Sequence, residues 1–123
     1  MSNKEKAIGF LKLAGTGQVK EAYDKFVALE FRHHNQYFKG DRQSLLVAME
    51  TAAKNAPNKS IETKFVYEDG PTVIAHSHVT RVNADQAEVA VVHIMKFENE
   101  KITELWDIGQ LIDKNSPNEN GMF

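Results

Sequence analysis

The stretch QAEVAVVHIMKFENEKITELWDIGQLI, residues 86–112, decides how the chain folds. Residues 86–97 and 101–112 each alternate between two side-chain sets and are rich in β-branched residues. This predicts two strands joined by a tight turn near Asn99 and Glu100. Two polar side chains fall inside otherwise apolar runs: His93 among Val91, Val92, Ile94 and Met95, and Asp107 between Trp106 and Ile108. A buried imidazole or carboxylate without a partner is costly, so each needs a hydrogen bond, a wet pocket or neutralisation. Register decides whether they meet. A two-residue turn sets His93 opposite Trp106, whereas a three-residue loop, residues 99–101, sets it opposite Asp107. The second register is favoured, because it lets the two polar groups satisfy each other on a face shared with Val89, Val91, Met95, Phe97, Leu105 and Leu111.

Upstream, residues 60–68 alternate Ile61, Thr63, Phe65 and Tyr67 against Glu62, Lys64 and Glu68, and residues 72–82 form another strand. Turns are expected at residues 69–71 and 83–85. Before Ser60 the period is helical: Ala7, Phe10, Leu11 and Ala14 mark a first helix with Ser2 or Asn3 as N-cap and Gly15 and Gly17 as stops. Val19, Ala22, Tyr23, Phe26 and Leu29 mark a second. Leu45, Ala48, Met49 and Ala52 mark a third, capped by Asp41 and ended by Asn55 and Pro57. The segment FRHHNQYFKG between the second and third has no clear period. Helices first and strands afterwards predict an α+β domain, with three N-terminal helices covering one face of a curved antiparallel sheet. A single domain, 1–123, is expected, with only the polar tail 114–123 separable from its core.

Composition narrows the function classes. The 123 residues are 41% hydrophobic, enough for one sizeable core, and 15 Lys and Arg against 17 Asp and Glu give a formal charge of −2. No basic stripe suits a nucleic acid and no polybasic segment an anionic membrane. The chain has no Cys, which excludes disulfides and thiolate chemistry and suits a reducing, cytoplasmic setting. The amino terminus reads as mature structure rather than a signal peptide, since Lys12 interrupts its apolar stretch. Neither a Gly-rich phosphate loop nor a G-x-S-x-G nucleophile turn is present, so neither a nucleotide cofactor nor covalent serine chemistry is expected.

The candidate chemistry therefore lies with histidines and Asp107. An Asp–His pair suits proton transfer, and an Asp in an apolar site can have its pKa raised towards neutrality; a satisfied core hydrogen bond is the plainer reading. His76 and His78, two apart on a strand, share a face. They either line a wet pocket as hydrogen-bond donors or hold a metal completed by His93 and Asp107 or by His34. No metal is expected. His33 and His34 cannot both point one way, so at most one enters a pocket, with Asn35 and Tyr37 as further donors beside it. Trp106 either walls a pocket or sits in the core or a subunit interface, and Gln110 faces either a pocket or a partner chain.

The order of elements, together with HHNQYFKG (33–40), VVHIMKFENEKITELWDIGQ (91–110) and the tail NENGMF (118–123), resembles the SnoaL-like polyketide cyclases of the nuclear transport factor 2-like superfamily. The strongest piece is a strand His followed 14 residues later by the Asp of K-I-x-E-x-W-D, here His93 and Asp107. The resemblance implies a cone-shaped α+β barrel enclosing an apolar pocket, no cofactor, and a dimer formed through the sheet. It also implies Asp107 as acid/base of an intramolecular aldol condensation, with His93 assisting at the carbonyl. His34 and Asn35 match the family's Q-H-N-P segment, with Gln36 in place of Pro, and are thereby implied at the pocket mouth. The expected ligand is a small hydrophobic carbonyl compound, turned over by cyclisation or isomerisation with His34, Asn35 or His76 as donors to the enolate oxygen. A non-catalytic apolar-ligand-binding dimer is the alternative. Val92, Ile94, Trp106 and Ile108, opposite the pocket set, are the expected dimer face.

Overall fold

The computed structural model of the protein describes residues 1–57, 59–81 and 87–123. Its elements run α1 (Asn3–Gly15), α2 (Val19–Phe26), β1 (Val27–His33), α3 (Arg42–Asn55), β2 (Lys59–Asp69), β3 (Thr72–Arg81), β4 (Val89–Glu98) and β5 (Lys101–Leu111). The five strands form one sheet in the order β1-β5-β4-β3-β2. Strands β2 to β5 are the expected antiparallel meander. The expected turn at 83–85 lies outside the described residues. Among the described residues no helix is long and apolar enough to cross a membrane.

The periodic helices form where the sequence predicts them. Ser2 caps α1 by accepting from the Glu5 N–H, and Asp41 caps α3 by accepting from the Ser44 N–H. Ala7, Phe10, Leu11 and Ala14 are all buried. The second helix is shorter than its pattern: it stops at Phe26, and Leu29 lies 87% exposed on β1. The sequence is therefore not helices followed by strands, because β1 interrupts the helices and pairs in parallel with β5, Val27 to Ile102 and His33 to Leu105. Main-chain bonds to a strand some 70 residues away outweigh a helical continuation whose only local signal is one leucine.

Besides a register shift in β1 between Val27 and Arg32, two irregularities bear on which side chains face inward. In β2 the register shifts between Thr63 and Phe65, so the inward alternation of Ile61 and Thr63 resumes at Val66. Phe65 and Tyr67, expected on the same face as Ile61, are instead exposed. In the β4–β5 hairpin the turn has two residues, Asn99 and Glu100, both with positive φ, and Glu98 faces Lys101. Between Phe97–Ile102 and Lys96–Glu104 one residue of β5, Thr103, is extra, and beyond this bulge His93 faces Asp107. The favoured pairing is present, produced by a bulge rather than by a three-residue loop.

Helix α1 packs on β2 and β3, and α3 on β1. The last residue of α1, Gly15, lies so close to Ile61 that a Cβ would overlap the isoleucine methyl. Phe10, Tyr23 and Phe31 form an aromatic chain, with ring centroids 5.9 and 6.0 Å apart, beneath Val73, Met95 and Ile102. Burying such side chains stabilises the fold by roughly 1.5–3 kcal/mol each.

Candidate functional site

Between α1, α3 and the inner face of the sheet lies a cavity of about 270 Å³. Its wall is mostly apolar, from Phe10, Leu45, Met49, Ile61 and Leu105 among others, and its polar lining comes from Asn35, His93, Asp107, Lys59 and Arg81. An open groove of about 650 Å³ runs past His34, Tyr37 and Gln110 on the outside and also reaches Asp107. The Asp107 carboxylate thus stands where the interior meets the entrance.

The loop that follows β1 sets the geometry at Asp107. His33, buried at the end of β1, donates from Nε2 to the Lys39 carbonyl at 2.7 Å and accepts the Asn35 N–H on Nδ1 at 3.0 Å. With the His33 N–H bonded to the Gly40 carbonyl, these contacts close the loop at its neck. Asn35 is thereby fixed. Its Oδ1 accepts the Tyr37 N–H at 3.0 Å, and its Nδ2 donates to Asp107 Oδ2 at 3.2 Å. The two contacts agree on the amide's orientation, since a flip would break both.

His93 faces Asp107 across the strands, but the two do not hydrogen-bond. Asn35 holds Asp107, and His93 Nδ1 is buried without a partner among the described residues. The pair therefore does not satisfy itself as expected: side chains opposite one another in a ladder run side by side, and the loop amide reaches the carboxylate instead. Burial pushes the His93 imidazole below its ordinary value, with the Asp107 charge pulling the other way. A neutral ring then offers one N–H to whatever occupies the cavity.

Four other candidates lie elsewhere. His76 and His78 sit on the outer face of β3, opposite the parity of the buried Val73, Ala75 and Ser77. His76 stacks on Phe65, His78 bonds Glu88 Oε1 at 2.6 Å, and both meet the Phe123 ring at 4.9 Å. They line no part of the cavity, and the sheet separates them from His93 and Asp107, so the four-ligand set is not assembled. Among the described residues no group of three or more His, Asp or Glu could hold a metal.

Trp106 is also on the outer face, and His34 is turned out with it. Their rings stack 4.6 Å apart at 6°, while His34 Nε2 bonds Glu104 Oε2 at 2.6 Å. Of the two adjacent histidines, the inward one is His33, and its ring is used up in the loop. Tyr37 is 78% exposed at the rim of the groove, where Gln110 also lies. The tail adds nothing to the buried core, and its terminal ring covers part of the outer face at His76 and His78.

Three charged residues at or near the site are not among the candidates drawn from the sequence. Glu104 accepts from Arg32 and His34, and these bonds, His34 first, hold its carboxyl below the usual range. Lys59 and Arg81 face the cavity from neighbouring strands. Their signal was parity, since Lys59 shares the inward phase of Ile61 and Arg81 that of Val79.

No family model matches the sequence, and no curated protein matches it significantly. Solved structures do. An uncharacterised cystatin-fold protein from Novosphingobium aromaticivorans superposes with a TM-score of 0.74 at 22% identity, covering 88% of this chain and 98% of its own. IdmH of Streptomyces antibioticus, proposed to be a polyketide cyclase, gives 0.75 at 13% identity over 89% and 93%. A proposed ketosteroid isomerase from Kribbella flavida gives 0.71 at 12% over 94% and 83%. At these identities the likeness shows the fold, the cystatin-like or nuclear transport factor 2-like α+β cone.

Proposed function

We propose that this chain is a cofactor-independent enzyme of the SnoaL-like type, acting on a small apolar carbonyl compound at the carbon next to the carbonyl. One observation carries the reading: a carboxylate at the cavity's entrance, held at one oxygen by Asn35, faces a buried imidazole with an unpartnered nitrogen.

Asp107 accepts the α-proton. The electrons of the broken C–H bond move to the carbonyl oxygen, and the neutral His93 N–H donates to the enolate so formed. The enolate carbon then attacks a second carbonyl of the same molecule, closing a ring, while the attacked carbonyl's π electrons move to its oxygen and that oxygen takes the proton from Asp107. Alternatively, in an unsaturated ketone, the dienolate is reprotonated by Asp107 at the γ-carbon, shifting the double bond. Either way Asp107 returns to the carboxylate. His76 and His34, expected as enolate donors, have no part in this scheme because both face away from the cavity. The lack of Cys fits a cytoplasmic setting, and a homodimer through the outer face of β3 to β5 completes the proposal.

The test is α-proton exchange of a bound ketone in heavy water, followed by NMR. Asp107→Asn is expected to lower the rate by at least about 100-fold, the low end of what a positioned general base contributes. Equal rates with binding retained would leave a carrier of apolar ligands instead.

A further inference from the structure

The far wall of the cavity carries two positive charges that the proton-transfer reading does not use. Lys59 on β2 and Arg81 on β3 are direct cross-strand partners, and both line the same cavity as Asp107. They occupy inward positions of strands whose other inward residues are Ile61, Thr63 and Val66 on one and Val73, Ala75, Ser77 and Val79 on the other, with the Thr63 and Ser77 hydroxyls bonded to each other at 3.2 Å. Among the described residues, Arg81 Nε is buried without a hydrogen-bond partner and neither cation forms a salt bridge. Burial, and then the charge of Arg81, hold the Lys59 ammonium below its usual value.

Two like charges facing each other in a partly buried, mostly apolar wall are costly unless an anion joins them. A guanidinium presents a planar fork that matches a carboxylate, and a neighbouring ammonium adds a point charge to the same group. We propose that Lys59 and Arg81 form a carboxylate-binding end of the cavity, so that the substrate is a keto acid with its carboxylate at this end and its reacting carbonyl at Asp107. The proposal rests on the reading of the cavity as a substrate site and names the class of substrate. The spacing adds length. Arg81 is six residues along β3 from Ala75, the partner of His93, or about 20 Å of strand before side-chain reach and sheet curvature shorten it. Several methylenes must therefore separate the two groups of the ligand, and the apolar wall would cover them.

The test compares 9-oxodecanoate with its methyl ester by isothermal titration calorimetry. The wild type is expected to bind the acid at least about tenfold more tightly, as charge-assisted hydrogen bonds allow. Arg81→Met and Lys59→Met should each reduce that preference and the double variant should abolish it, with ester affinity changed less than about twofold. Arg81→Lys, which keeps the charge, should retain part of it, and thermal unfolding of each variant checks that it is folded. Equal or tighter binding of the ester by wild type, no measurable binding of the acid at millimolar concentration, or a preference that survives in the double variant would overturn the proposal. Proton exchange is read separately. A carboxylate preference without exchange leaves the anion site standing and removes the catalytic reading. Exchange of 2-decanone as fast as 9-oxodecanoate does the reverse.

Discussion

Asn35 and Asp107 lie 72 residues apart in sequence and are joined by a 3.2 Å bond from amide Nδ2 to carboxylate Oδ2. The bond ties the base to a loop closed by His33, so the carboxylate's direction depends on a residue that touches no proton in flight. Asn35→Ala should slow α-proton exchange about 10- to 100-fold, the usual effect of loosening a reacting group by an ångström or less. The thermal midpoint should move by only a few degrees. An unchanged exchange rate would show that Asp107 is oriented by something else.

Acidification should weaken the fold through His93. Its imidazole is held below the ordinary value of 6.5, so on acidification the unfolded chain takes up a proton before the native one. Stability is therefore full above pH 6.5 and is lost as pH falls from there through the lower native value, at up to about 1.4 kcal/mol per pH unit within that window. Urea midpoints measured from pH 8 to 5 should fall more steeply for wild type than for His93→Gln. Parallel curves would mean that the ring is not desolvated.

Gly15 and Ile61 should behave as a coupled pair. Gly15→Ala drives a methyl into the Ile61 side chain and should cost about 1–3 kcal/mol, the usual range for overpacking. Ile61→Ala alone should also destabilise by opening the wall. The double variant should be more stable than the sum of the two predicts, and a double-mutant cycle on denaturation midpoints reads this directly.

The outer face should hold two copies together. Ile74, Ile108 and Phe65 are exposed there at 40, 62 and 43%, beside Val92, Ile94 and Trp106. Ile108→Lys and Trp106→Glu should each give a monomer in sedimentation at micromolar concentration, where wild type runs as a dimer. A monomeric wild type would remove this assembly.

The reach of the sequence differed from residue to residue. Helices α1 and α3 were legible because apolar period, cap and stop agree. Strand β1 was not, because Leu29 continues the helical spacing and the strand depends on a parallel partner remote in sequence. The facing of His93 and Asp107 was legible from the cost of isolating either one, while the lack of a bond between them was not. The resemblance set Asn35 at the pocket mouth, and the residue lines both cavity and groove. It set His34 at the mouth too, where the residue lines the outer groove but turns its ring onto Trp106 and away from the cavity, since which of two adjacent histidines points inward is set by the phase of β1. The same kind of phase put His76 and His78 outside, and periodicity alone does not say which side of a strand meets the helices.

The extra residue at Thr103 also uncouples the outline of the hairpin tip from the position of the carboxylate. A two-residue turn with one bulged residue and a three-residue turn with none span the same 14 positions from His93 to Asp107 and end in the same pairing. The tip can therefore be redrawn, with the surplus residue moved from strand to turn, while the base stays where it is. Tip shape and entrance chemistry are free to diverge independently, and a graft of a foreign turn here should leave Asp107 in register so long as the residue count is kept.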